Sequence, residues 1–260
     1  MPRSLSGGRH ELGQNFLIHK PTVSRIVGLV DATSGPILEI GAGDGALTRP
    51  LSRLGRPLTA VEIDEHRAAR LARRLPEVCV ENADALRHRL DGPVVVGNIP
   101  FHVTTPIMRR LLERPAWSTA VLLTQWEVAR KRAGVGGATM MTAQAAPWFR
   151  FQLETRVPAT AFAPMPSVDA GLLVIERRPT PLVPPRQRRE YERFVRAVFT
   201  GRGRGLAQIV GRAAGLGQRR AHRTIAAAGI RDRSLPRDLS PQQWARLWTE
   251  VGCASLHEGA

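Results

Sequence analysis

Ile37-Leu38-Glu39-Ile40, running directly into Gly41-Ala42-Gly43-Asp44-Gly45, decides how the rest of the chain is read. A short apolar run that ends in a glycine-rich turn marks a buried strand feeding a tight loop. Three more strand ends follow: Val61-Glu62-Ile63-Asp64, then Asn82-Ala83-Asp84-Ala85-Leu86, then Val94-Val95-Val96-Gly97-Asn98-Ile99-Pro100-Phe101. Between them the apolar spacing switches to that of helices. The pattern predicts strands at 37–40, 58–63, 78–80, 94–97 and 119–124, with helices at 46–54, 65–74 and 105–113. Such alternation indicates an α/β chain with a parallel sheet and helices on both faces. Phe149 to Val157 and Ala170 to Glu176 read as an antiparallel pair separated by Pro158, Pro164 and Pro166. The sheet is therefore expected to be mixed and seven-stranded.

Outside this core the chain changes character twice. Residues 1–20 form a polar arm ending in Gly13-Gln14-Asn15-Phe16-Leu17, after which Val23, Ile26, Val27 and Val30 recur at helical spacing. Thr180-Pro181-Leu182-Val183-Pro184-Pro185 reads as a linker. Segment 177–237 holds sixteen Arg and no Lys against Glu190, Glu192 and Asp232, a net charge of +13 out of +16 for the whole chain. Tyr191, Phe194, Val195, Val198 and Phe199 keep a helical period through those charges. The expected organisation is an arm at 1–20, an α/β domain at 21–179 and a small basic helical domain at 180–260.

Basic residues outnumber acidic ones 38 to 22, which points to a polyanionic partner. A GC-rich genome explains why Lys20 and Lys131 are the only lysines, but not that excess. Cys79, between Val78 and Val80, reads as core packing, and with Cys253 gives neither a disulfide framework nor a metal pattern. His10, His19 and His102 lack ligand spacing and read as surface or loop residues. The N-terminus has no apolar signal core, and no apolar stretch approaches the ~20 residues needed to span a bilayer. A soluble cytoplasmic monomer without a metal or a membrane partner is expected.

The strand ends carry the chemistry. A glycine-rich turn lets backbone approach a nucleotide, and Glu62, 21 residues past Gly41, is placed to accept from ribose hydroxyls. This pair alone is compatible with a dinucleotide. The glycines, however, follow G-x-G-x-G and not G-x-G-x-x-G, which makes less provision for a pyrophosphate. Asp84 ends the third strand where it can accept from an adenine amino group, although a lone Asp there also serves as a helix cap. Asn98-Ile99-Pro100-Phe101 closes the set. Methyl transfer to an exocyclic adenine nitrogen is slow because its lone pair is delocalised into the ring. Acceptors aimed at its two N–H bonds, from Asn98 and a backbone carbonyl near Ile99 or Pro100, direct that lone pair. Pro100 stiffens the loop, and Phe101 offers a face for a flipped base. Phe162, in the proline-rich bend, is a candidate for stacking on the other face and equally a candidate for the core.

On these residues the chain resembles the Erm family of ribosomal RNA adenine-N6 methyltransferases, relatives of the small-subunit dimethyladenosine transferases. The resemblance runs from Gly13 to about Gly252. It implies a Rossmann-like class I methyltransferase core with a small C-terminal helical domain, S-adenosylmethionine as cofactor, and one adenine in the peptidyl-transferase loop of 23S rRNA as target. Methylation there confers macrolide, lincosamide and streptogramin B resistance. Gly13-Gln14-Asn15-Phe16-Leu17 is similar to the family's Gln-Asn-Phe motif. By position Asn15, Leu17, Gly41, Glu62, Asp84 and Asn98 form the cofactor set, and Asn98, Pro100 and Phe101 the catalytic loop. Phe101 and Phe162 would contact the base, while Arg202 and Arg204 in the basic domain would contact the rRNA backbone.

Ile99, and Ile230-Arg231-Asp232 through Trp244, favour Erm over the small-subunit relatives. Two features depart from the family: Phe101 stands where Tyr is usual, and Met165 and Ser167 stand where lysines are usual. A DNA adenine methyltransferase would usually begin its loop with an acidic residue. A non-catalytic RNA-binding assembly factor would show eroded cofactor residues.

Overall fold

The computed structural model describes residues 15–256 apart from Asp91, Arg114 and Pro115. In chain order the elements are β1 (Phe16–Leu17), α1 (Lys20–Asp31), β2 (Ile37–Ile40), α2 (Thr48–Ser52), β3 (Leu58–Glu62), α3 (Glu65–Arg74), β4 (Cys79–Asn82), β5 (Val94–Asn98), α4 (Thr104–Glu113) and β6 (Thr119–Gln125). They continue with α5 (Trp126–Arg132), α6 (Met140–Ala145), β7 (Phe149–Val157), β8 (Phe162–Ala163), β9 (Ala170–Arg177), α7 (Arg188–Thr200), α8 (Leu206–Ala214), α9 (Gln218–Ala227) and α10 (Pro241–Leu256). Seven strands form one sheet in the order β4-β3-β2-β5-β6-β9-β7. The pairs β4/β3, β3/β2, β2/β5 and β5/β6 are parallel, and β9 runs antiparallel to β6. The mixed seven-stranded sheet is as the spacing predicts.

The central strands are largely apolar, with Glu39 of β2 the exception, because both faces of the sheet are covered. All four residues of β2 and the first four of β5 are buried. Helix α3 shows the opposite balance, with only Ala68 and Leu71 buried. Its ends are marked by charge: the Asp64 carboxylate accepts the Arg67 N–H at 3.0 Å, and Arg73 and Arg74 occupy the last turn. That N–H, more than the neighbouring positive charge, holds the Asp64 carboxyl below the usual carboxylate range. Strand β4 lies at the sheet edge, and there Cys79 is exposed, not packed in the core. Flanking valines suggest burial only when a strand is covered on both faces, and an edge strand is not.

Contacts divide the chain into two compact units, residues 1–129 with 152–176 and residues 130–151 with 177–260. The segment before β7, including α6, thus groups with the chain that follows β9. The second unit has a core of its own. Tyr191 is fully buried, its hydroxyl donates to the Ala143 carbonyl at 2.9 Å, and its ring meets Trp148 and Trp248 edge-on. Phe199 stacks on Trp244, with ring centroids 5.8 Å apart. The Arg-rich sequence therefore covers a packed aromatic interior, as its helical period predicts. No described helix is long and apolar enough to cross a membrane.

Candidate active site

The carboxyl ends of β2, β3 and β5, together with the loop after β4, open into one cavity of about 690 Å³. At its base the turn after β2 carries Gly41, Gly43 and Gly45 at φ 72°, 55° and 85°, a left-handed conformation that side chains disfavour. The turn is also crowded: a β-carbon on Gly43 would stand 3.2 Å from the Phe16 ring. Glu62, at the end of β3, is 2% exposed. Its carboxylate accepts the Gly43 N–H at 2.7 Å and the Asp64 N–H at 3.0 Å, so it clamps the glycine turn while lining the cavity. Asp84 also lines the cavity and accepts the Leu86 N–H at 2.8 Å; it closes a turn and is not a helix cap, since no helix follows it before β5.

The wall above this base comes from far away in sequence. Phe16–Leu17 pairs antiparallel with Phe162–Ala163, and the Ile18 N–H donates to the Ala161 carbonyl at 2.9 Å. That small ribbon brings Asn15 to Asn98, whose side-chain nitrogen donates to the Asn15 carbonyl at 2.7 Å. With its nitrogen committed as donor, the Asn98 carboxamide has its oxygen left to accept. The Pro100 carbonyl accepts both the Val103 N–H, at 3.1 Å, and the Thr104 hydroxyl, at 3.2 Å. Of the two backbone carbonyls weighed from the sequence, that of Ile99 is therefore the one with capacity to spare. Phe101 is half-buried and lines the same cavity.

Asn15, Leu17, Gly41, Glu62, Asp84, Asn98, Pro100 and Phe101 thus surround one space. Phe162 does not line it. At 3% exposure it lies in the same hydrophobic core as Leu17, to which its strand is paired. Arg202 and Arg204 lie in the second unit, exposed between α7 and α8. There Arg212 donates to the Arg202 carbonyl at 2.7 Å and Gln208 accepts the Arg204 N–H at 2.8 Å, so this glycine-rich segment is pinned to α8. Gly13, Gln14 and His10 fall outside the described residues. Among the described residues no group of three or more His, Cys, Asp or Glu is placed to hold a metal ion.

Two further side chains build the site beyond those expected from the sequence. Phe16 packs on the glycine turn and carries the Arg67 guanidinium 4.4 Å above its ring. Glu39, in the middle of β2, lines the cavity at 1% exposure with Oε2 lacking a hydrogen-bond partner. A carboxylate inside an otherwise apolar strand was the available signal. Burial pushes its pKa up to about 8, with the Thr48 hydroxyl acting in the opposite direction and the charge on Glu62 adding to the rise. The ligand-free folded chain therefore binds one proton more than the unfolded chain between pH ~4.5 and ~8, and this contribution to stability declines as pH rises through that window. Glu39→Gln should flatten the fall of Tm across it. A wild-type slope that the substitution leaves unchanged would show Glu39 to be ionised.

The donor set fits S-adenosylmethionine. A buried carboxylate stands at the end of β3, a second carboxylate lies beyond β4, and Glu39, with a buried carboxyl oxygen that has no hydrogen-bond partner, is among the residues lining the cavity. Sheets in this strand order, with a cavity so built at the carboxyl edge, belong to S-adenosylmethionine-dependent methyltransferases. Comparison narrows the class: residues 6–251 match the ribosomal RNA adenine dimethylase family model, and the chain belongs to that family. It is 54% identical over 209 residues (79% of this chain, 83% of the relative) to an rRNA adenine N-6-methyltransferase of Corynebacterium diphtheriae. It is 50% identical over 258 residues (95% and 81%) to the mycinamicin-resistance protein MyrB of Micromonospora griseorubida. The crystal structure of the 23S rRNA methyltransferase ErmE superposes with a TM-score of 0.84 at 33% identity, covering 92% of this chain and all of that one.

Proposed function

We propose that this enzyme methylates N6 of one adenine in the peptidyl-transferase loop of 23S rRNA and so confers resistance to macrolides, lincosamides and streptogramin B. The observation that carries the reading is the Asn98 carboxamide, oriented by the Asn15 carbonyl with its oxygen left to accept, in the same cavity as the glycine turn and Glu62. S-adenosylmethionine, when bound, supplies an electrophilic methyl group. Glu62 would hold its ribose hydroxyls, Asp84 its adenine amino group, and the backbone at Asn15, Leu17 and Gly41 would line its path. Asn98 Oδ1 and the Ile99 carbonyl accept from the two N–H bonds of the target amine and turn its lone pair toward the methyl group. Phe101 stacks the flipped base, and Pro100, at φ −55° and ψ 136°, holds the loop in an extended conformation. Positioning supplies most of the rate enhancement.

The purified chain should transfer labelled methyl to protein-free 23S rRNA at a single adenine of that loop, and its expression should protect a susceptible host. Label appearing in small-subunit rRNA would overturn the reading.

The second unit would hold the rRNA backbone. Arg202→Ala with Arg204→Ala should raise the RNA Kd and reduce the log–log salt slope by about 0.7 for each lost contact to single-stranded RNA. Cofactor affinity should not change. An unchanged slope would move the backbone contacts away from this loop.

A further inference from the structure

Two helices of the first unit contribute a wall of the active-site cavity that the methyl-transfer chemistry does not use. On α1, Lys20, Val23 and Ser24 share one face by their i, i+3, i+4 spacing, and all three line the cavity. On α2, Arg49 and Pro50 line it too, with Arg53 one turn on at the C-cap. Val23 and Pro50 are partly buried, whereas Lys20, Ser24, Arg49 and Arg53 are exposed. The Arg49 stem runs beside the glycine turn, where a β-carbon on Gly45 would stand 3.9 Å from its Cγ and Nε. This wall is apolar within and cationic at its exposed edge.

The three cations lack counter-charges. Among the described residues no hydrogen bond or ion pair reaches the side chain of Lys20, Arg49 or Arg53. The acids that share the cavity are committed elsewhere. Asp44 pairs with Arg67 and Arg70, Glu62 accepts the Gly43 and Asp64 N–H groups, and Asp84 accepts the Leu86 N–H. Glu39 is buried, with its pKa pushed up to about 8. Nor does S-adenosylmethionine complete the balance. Its one carboxylate is outweighed by its sulfonium and ammonium groups, so it enters with a net positive charge. Exposed cations gathered at one mouth attract a polyanion.

We infer that Lys20, Arg49 and Arg53 form a basic rim that grips the phosphodiester groups on either side of the flipped adenosine, while Asn98 and Phe101 receive its base in the same cavity. A nucleotide rotated out of its stack brings its own backbone to the mouth of the pocket that takes the base. Contacts of this kind add affinity through counterion release and position the strand without reading its sequence. The role given to the rim rests on the reading of the chain as an rRNA methyltransferase, and its contacts are additional to those of the second unit.

The test titrates the full-length protein with a stem-loop RNA copying the peptidyl-transferase loop over a series of salt concentrations. Lys20→Gln, Arg49→Gln and Arg53→Gln should each raise the RNA Kd and reduce the log–log salt slope by about 0.7, and the triple variant should reduce it by about 2. Affinity for S-adenosylmethionine should stay at the wild-type value in all of them. Arg73→Gln removes the same charge from an exposed position on α3 outside the cavity, and should leave the slope nearly unchanged. A folded triple variant with wild-type Kd and slope would overturn the rim. Weaker cofactor binding with an unchanged RNA slope would overturn it too, giving the cations to the cofactor's carboxylate. A fall in slope for Arg73→Gln as large as for each rim variant would do the same, by reducing the effect to overall charge. If the wild-type protein binds and methylates the stem-loop and the triple variant matches it, the rRNA reading stands and the rim falls. If the wild-type protein neither binds nor methylates it, both fall.

Discussion

Phe101→Ala should reduce methyl transfer by about two orders of magnitude or more while leaving the fold and S-adenosylmethionine binding in place. Stacking of one base on an aromatic ring is worth about 1–3 kcal/mol, and misplacement of a reacting atom by ~1 Å can cost a further ~100-fold. Both losses fall on the target base, because Glu62 and Asp84, which would hold the cofactor, sit on other loops of the same cavity. Phe101→Tyr is the control. It keeps the ring face and adds a hydroxyl at a half-buried position open to the cavity, and it should stay active. Single-turnover methylation of the rRNA fragment, read beside cofactor titration, distinguishes the cases. A folded Tyr variant without activity would mean that the loop does not receive the base in the way proposed.

Glu62→Gln should weaken S-adenosylmethionine binding by roughly 10- to 150-fold, the equivalent of the ~1.5–3 kcal/mol carried by a hydrogen bond to a charged acceptor. The geometry sharpens the expectation. Both carboxylate oxygens already accept backbone N–H groups, from Gly43 and Asp64. An amide keeps one acceptor and turns an NH2 group toward the other N–H, so the glycine turn loses a clamp as well as a charge. Isothermal titration with the cofactor measures the change, and RNA affinity in the same protein should stay near wild type. An unchanged cofactor Kd would remove Glu62 from the ribose site.

Much of this was legible in the chain itself. Strand β2, helix α3 and strand β7 lie where their spacing places them, because apolar periodicity and the Asp64 cap are local signals. The strand ends that carry Gly41, Glu62, Asp84 and Asn98 were readable for a related reason: in a parallel sheet all such ends emerge at one edge, so order along the chain becomes proximity in space. The helices α5 and α6 between β6 and β7 went unread, since in so short and glycine-broken a stretch neither period repeats often enough to be counted.

The sequence by itself determined the sheet, the positions of the strand ends that line the cavity and the charge of the second unit, all of which depend on residues near one another in the chain. Tertiary structure decided what depends on partners far apart. A two-residue strand has no local signature, yet pairing Phe16–Leu17 with Phe162–Ala163 takes Phe162 out of the pocket, brings Asn15 to Asn98 and fixes which atom of the Asn98 amide is left to accept. Exposure of Cys79 follows from an edge position that only strand order reveals, and the buried acid of Glu39 from coverage on both faces of β2. The residues around a cavity in the second unit run from 132 to 244, brought together by packing of helices, strand ends and turns that no local pattern encodes.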